Sequence, residues 1–203
     1  MKLANLLTFA FLFMTSLGSA QNIENVDFVS PMHENMIAIK KGNQWAFIDP
    51  EGRIVINYRT DLVASNTENG NYPLFKNGRC LITKKKNDIS YFGYIDINGN
   101  TVIEAQFLNA TNFQYDLAVA LLLKRTEISN NIALKKPVVT YDYFPIVIDL
   151  SGKTVTYLVV EPTHVTLSSD YLRKPPALDI KFISKTLVAV MNSQKKWSVI
   201  KIN

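Results

Sequence analysis

One cysteine, Cys80, is all this chain has, so no intrachain disulfide can form and the fold must hold by packing. Standing in a predicted apolar strand, Cys80 reads as a small buried hydrophobe. The residues that carry chemistry are scarce too. There are two histidines, His33 and His164, and neither lies in a motif with Cys80. No metal-ligand cluster and no phosphate-cradling glycine loop appears, so no cofactor is expected. A glycosidase needs two facing carboxyl groups. Asp49, Asp96 and Asp149 stand in separate turns, while Glu127, Asp142 and Glu161 are isolated. The net charge of +5 is mild, without the concentrated basicity of a nucleic-acid binder. Nucleic acid is therefore not an expected partner. Beyond the N-terminal segment no stretch has a convincing helical period.

What is present begins with an address. Lys2 supplies a positive start, Leu3–Leu17 is mostly apolar, and Gly18-Ser19-Ala20 places small residues before a cleavage point. Residues 1–20 are read as a helical secretory signal peptide, and residues 21–203 as one β-repeat domain. The apolar run is short for a membrane span, so no transmembrane segment is expected after cleavage. No cysteine follows Ala20 to invite lipid attachment.

The domain is organised around Met36–Asn57. Ile37, Ile39, Phe47, Ile54 and Ile56 sit in short β-branched or aromatic runs suited to half-buried strands. Lys41-Gly42-Asn43 separates the first two runs as a tight hairpin. Asp49-Pro50-Glu51-Gly52 separates the second and third with the residue preferences of a type I turn. The stretch is thus an antiparallel three-stranded meander, which cannot bury its apolar face alone.

Degraded copies supply neighbours. The turn recurs as Asp96-Ile97-Asn98-Gly99 and Asp149-Leu150-Ser151-Gly152, each after an Ile and before a short apolar strand. An aromatic slot four residues before the Asp holds Trp45, then Phe92, then Pro145, where Phe144 can substitute. A fourth copy, Lys195–Ile200, places Trp197 in that slot. Phe28, Phe75, Phe113 and Phe182 each precede a leading apolar strand. Asp96–Asn100 invites a calcium reading, but its Gly falls too early for an EF-hand loop and Phe107 stands where the bidentate Glu belongs. Turn chemistry is the better account.

This pattern resembles the WG-repeat family of bacterial proteins over most of the chain from about Asn22 onward. The Trp-Gly pair itself is degraded to Trp45-Ala46, Phe92-Gly93, Pro145-Ile146 and Trp197-Ser198. The resemblance implies an all-β repeat module used as an interaction scaffold, and it carries over no catalytic residue. The expected architecture is about four antiparallel meander units stacked in one array, with a closed, propeller-like arrangement as the alternative. Trp45 and Trp197 are expected in the core, with Phe92, Asp49, Asp96, Asp149, Gly52, Gly99 and Gly152 as the other structural positions.

Surfaces follow from the interruptions. Asp61–Pro73 reads as a polar loop, Glu161–Leu178 as an irregular stretch, and Arg125–Pro137 as the longest loop insertion, a place where repeat proteins put binding function. Tyr141 and Tyr143, beside that insertion, are the surface aromatic candidates. The basic pairs Lys40-Lys41, Lys84-Lys85 and Lys195-Lys196 share one phase of the repeat, so a stack would gather them into a cationic stripe; as an alternative they only keep hairpin tips soluble.

The functional expectation is an exported, non-enzymatic interaction module in the periplasm, on the outer surface or outside the cell. Its partner would be a protein or an envelope polysaccharide. The alternative is an envelope hydrolase or carbohydrate-binding protein with a cleft near residues 125–137. Export makes a direct prediction: protein recovered from the native envelope fraction begins at Gln21 on N-terminal sequencing. An intact Met1 would contradict it.

Overall fold

The computed structural model describes residues 23–131, 136–192 and 194–202, and the expected signal peptide lies outside them. Every regular element among the described residues is a strand. The first sheet runs β1 (Phe28–Val29), β2 (Ile37–Lys41), β3 (Gln44–Ile48) and β4 (Ile54–Arg59) in chain order. A hairpin of β5 (Ser65–Thr67) and β6 (Gly70–Tyr72) follows. The largest sheet holds β7 (Cys80–Lys86), β8 (Ile89–Ile95), β9 (Thr101–Ala110), β10 (Leu117–Asn131), β11 (Lys136–Asp149) and β12 (Thr154–Tyr157), again in chain order. The short β13 (Thr163–His164) pairs with β11. The last sheet is β14 (Ile180–Ser184), β15 (Leu187–Met191) and β16 (Trp197–Lys201). All pairings between these strands are antiparallel, and no sheet closes on itself.

The Asp–Gly turns have one geometry. Gly52, Gly99 and Gly152 have φ of +81°, +82° and +83°, a region that only glycine enters freely. In each, the Gly N–H donates to the carbonyl of the turn's Asp, at 3.0, 3.0 and 2.9 Å. The Asp carboxylate accepts the main-chain N–H four residues on, from Arg53, Asn100 and Lys153, at 2.8, 2.9 and 3.0 Å. A second recurring turn carried almost no sequence signal. Glu34-Asn35, Asn77-Gly78 and Tyr115-Asp116 each have positive φ at both positions, the form that matches strand twist in a two-residue hairpin.

Alternation along the strands gives the inner meanders two buried faces. Ala38, Trp45, Phe47 and Ile56 of the first sheet pack with Cys80, Ile82 and Ile95 of β7 and β8. The opposite face of those strands, with Leu81, Phe92 and Tyr94, packs with Ala118, Ala120, Ile146 and Ile148 of β10 and β11. Val119 and Val147, on the far side of β10 and β11, pack with Val188 of β15. Period-two alternation is what lets one strand serve two cores.

The layers also interlock at the turns. A Cβ added to Gly99 would lie 3.3 Å from Ile56 Cγ2, and one added to Gly152 would lie 3.0 Å from Ile103 Cγ2. Ile56 and Ile103 hold corresponding places on β4 and β9. Arg59 donates to the Gly99 carbonyl at 3.0 Å, and Arg79 to the Leu150 carbonyl at 3.2 Å. Gly93 is needed for another reason. Its Cβ would collide with the Ile103 carbonyl oxygen and lie 2.7 Å from the Ala105 nitrogen, where β9 crosses close to β8. Strand β9 then runs on to pair with β10, joining two meanders into one sheet. After β4 the chain does the same more briefly, through Leu62 opposite Ile82.

Four sequence expectations need correction. Arg125–Asn131 is not loop but the continuation of β10, paired with β11. Its polar side chains hid it, because a hairpin that projects into solvent has no buried face to impose alternation. Asp61–Pro73 contains the β5–β6 hairpin, and its Tyr72 is fully buried. Phe144 does not fill the aromatic slot; it packs with Ile146 and Ile148, on the side of β11 opposite Val147. Trp197 is 46 % exposed whereas Trp45 is 8 % exposed. The slot points toward the following layer, and among the described residues no further layer covers Trp197, only the Lys181 ammonium 4.7 Å from its ring centre.

Trp45→Ala is therefore expected to cost about 3–5 kcal/mol in urea unfolding, the range for losing a large buried side chain. Trp197→Ala should cost less than about 1 kcal/mol, as for a surface change. Equal losses would contradict the layer assignment.

Candidate functional site

The strand order β10-β9-β8-β7 brings distant residues onto one sheet face. A groove of about 570 Å³ lies there, lined by Lys84 and Lys86 of β7, Tyr91 of β8, Gln106 of β9, Arg125 of β10 and Tyr141 of β11. Register fixes two of its edges: Lys84 pairs with Tyr91, and Arg125 with Tyr141. A contiguous depression of about 410 Å³ shares Lys86, Tyr91 and Tyr141, and adds Asn87, Ser168 and Ser169. Leu167 lines both.

An apolar cluster supports this groove. Ile89, Leu108, Leu121 and Leu172 are buried together, with Tyr91, Leu123, Tyr143 and Leu167 packed against them. The irregular segment after β12 covers that cluster. It is latched where β13 pairs with Asp142 and Tyr143, and where the Val165 N–H donates to the Tyr141 carbonyl at 2.9 Å. Tyr143 thus serves packing, while Tyr141 faces the groove.

The electrostatics are one-sided. Lys84, Lys85, Lys86 and Arg125 line the groove with one carboxylate, Glu104. Among the described residues, Arg125 reaches Glu127 only at 4.0 Å, and no ion pair neutralises Lys84, Lys85 or Lys86. Burial pushes the Tyr91 phenol up, with a further push from the neighbouring Tyr141. The Tyr91 ring therefore keeps its hydroxyl proton.

The remaining basic candidates sit elsewhere. Lys40 is half-buried, its Nζ 5.4 Å from the centre of the Trp45 ring, and Lys41 is exposed at the β2–β3 tip. Lys195 Nζ lies 3.8 Å from an Asp179 carboxylate oxygen, and Lys196 is exposed at the β15–β16 connection. Each pair occupies a hairpin tip, but only Lys84 and Lys85 line the groove.

Sequence reasoning missed one polar cluster. His164 Nδ1 lies 3.2 Å from Asp142 Oδ1 and 3.0 Å from Thr140 Oγ1. Both partners meet the same ring nitrogen, whereas a relay from carboxylate through imidazole to a nucleophile uses opposite nitrogens. The cluster reads as the latch of β13. No group of three or more metal-ligating side chains converges among the described residues. Cys80 is wholly buried, and desolvation pushes its thiol far up, away from nucleophilic use.

Residues 92–122 match the family model of the WG containing repeat. The match begins at Phe92-Gly93, runs through the Asp96–Gly99 turn and ends in β10. It supports the repeat resemblance on the stretch where the glycine of the Trp-Gly pair survives. Neither a curated protein nor a solved structure significantly matches the chain.

The turn carboxylates give a pH prediction. Burial pushes Asp49 and Asp96 up, but hydrogen bonds outweigh it, from the Arg53 main chain and guanidinium and from the Asn100 main chain and side chain. The Ser151 hydroxyl is the largest influence on Asp149. All three are held below the ordinary 3.8. A carboxylate with a depressed folded pKa stabilises fully above its unfolded value and loses that contribution as pH falls through the folded one. Stability should therefore drop below pH 3.8, and Asp96→Asn should flatten that drop. An NMR titration midpoint for Asp96 at or above 3.8 would contradict this.

Proposed function

We propose that this chain, carrying a WG containing repeat at residues 92–122, is an exported, non-enzymatic interaction module at the cell envelope or outside the cell. We read its fold as about four meander layers in one open array. The three equal Asp–Gly turns and the succession of cores, each shared by consecutive layers, support that reading. One observation carries the functional part. The groove gathers Lys84, Lys86 and Arg125 with Tyr91 and Tyr141, a composition for binding an anionic partner. An envelope polysaccharide suits it better than a protein, because the rings and neutral polar groups offer shallow, hydroxyl-matching contacts.

The hydrolase alternative has support in one respect: a groove does lie beside Arg125. Its lining includes Glu104 but not the facing carboxylate pair that glycoside hydrolysis uses. That balance favours binding over turnover.

Co-sedimentation of the mature chain with isolated envelope polysaccharide tests the proposal. Retention should be strong at low salt and weak at physiological salt, where charges are screened within about 8 Å. Reversing Lys84 and Lys85 to Glu should release the chain more than reversing Lys40-Lys41 or Lys195-Lys196, with little loss of folding stability. Retention indifferent to salt and to every reversal would contradict the proposal. Release of new reducing ends would favour the hydrolase.

A further inference from the structure

We infer that the groove's ligand is an acidic polysaccharide of the uronate type, laid across β7–β11 between the Lys84–Lys86 hairpin and Arg125. The inference rests on the binding-module reading and names its ligand class. Three features of the groove have to be matched together. First, its cations stand on two separated strands, β7 and β10, with β8 and β9 between them. A chain with carboxylates at intervals can meet both.

Second, Tyr91 on β8 lies between these strands and Tyr141 on β11 pairs with Arg125, both rings half-buried in the groove wall. A pyranose ring packs its C–H face on such rings while its hydroxyls meet the polar edge. Third, beside Glu104 and the apolar Leu123 and Leu167, the lining offers uncharged hydrogen-bonding groups: Asn87, Gln106, Ser168 and Ser169. A uronate carries a hydroxyl-rich ring and one carboxylate per residue, so each part of the lining finds its counterpart in a single repeating unit.

Other polyanions match less of it. A flat bilayer would meet the lysines at the rim and leave Tyr91, half-buried in the groove wall, without a partner. An acidic peptide carries its carboxylates on flexible side chains, whose ordering costs entropy that a ring carboxylate does not incur. Nucleic acid needs a longer basic track than Lys84–Lys86 and Arg125 provide, and Glu104 in the lining opposes a dense phosphate chain.

The test uses the full mature chain against polygalacturonate, fully methyl-esterified polygalacturonate, poly-glutamate and phosphatidylglycerol vesicles, by calorimetry and sedimentation. Polygalacturonate should bind, and its ester, which keeps the shape and loses the charge, should bind at least about tenfold more weakly. Each exposed ion pair is worth up to about fivefold in affinity, so Lys84→Glu with Lys86→Glu should weaken binding by about tenfold or more. Tyr141→Ala should weaken it several-fold while Tyr141→Phe, which keeps the ring, should not. Unchanged urea midpoints in these variants separate lost binding from lost folding. Equal binding of the ester, equal or better binding of poly-glutamate or vesicles, or no binding of polygalacturonate would overturn the uronate assignment. If that happens while groove reversal still releases the chain from envelope polysaccharide, the module reading stands. If reversal releases nothing, both fall.

Discussion

The structure depends on one repeated contact: the Asp–Gly turns of the second and third meanders, each seated on an isoleucine of the meander before it. Gly99 lies against Ile56, and Gly152 against Ile103, so close that an added Cβ would crowd the isoleucine. The same glycines must also hold positive φ, so both local geometry and packing demand them. The turn's Asp holds the loop in shape by accepting the N–H four residues on. Arg59 and Arg79 then tie the seated turns to the preceding chain through carbonyl oxygens of Gly99 and Leu150. Stacking thus fixes where each sheet can lie relative to the last.

That constraint places the groove. Once the β7–β9 and β10–β12 meanders are locked about a shared core, β9 can run unbroken from one into the other. Its path brings Arg125 and Tyr141 of the long β10–β11 hairpin onto the face carrying Lys84, Lys86 and Tyr91. Gly93 enables this by letting β9 approach β8 closely. The segment after β12 then buries Ile89, Leu108 and Leu121 with Leu172, and places Leu167 in the groove lining. The site is a by-product of how the layers join.

The sequence made local chemistry legible and relations between layers illegible. Asp49-Pro50-Glu51-Gly52 and its two copies could be read because Asp, Pro and Gly act within four residues. The turns at Glu34-Asn35 and Tyr115-Asp116 share a geometry with Asn77-Gly78, but only the last pair has a residue combination that announces it. Trp45 and Trp197 look alike in sequence, yet burial depends on whether another layer lies beyond, and only Trp45 has one among the described residues. The 125–131 stretch read as loop because residues 125–129 are exposed on both faces of the strand and carry no period. A cleft near residues 125–137 was expected, but not its lining, because Lys84, Arg125 and Tyr141 are joined by sheet order, not by spacing. Of the two tyrosines singled out, Tyr141 lines the groove and Tyr143 packs into the cluster beneath.

A double-mutant cycle between Gly152→Ala and Ile103→Ala tests the stacking contact most directly, with stability read by urea unfolding. Gly152→Ala alone suffers both the backbone strain of φ +83° and the collision with Ile103. Removing the Ile103 side chain relieves the collision and leaves the strain. The account predicts that the double variant is less destabilised than the sum of the two singles, by about 0.5–3 kcal/mol as for residues in contact. Additivity within about 0.3 kcal/mol would show that the turn does not bear on the preceding layer, and would contradict the stacking on which the groove's placement depends.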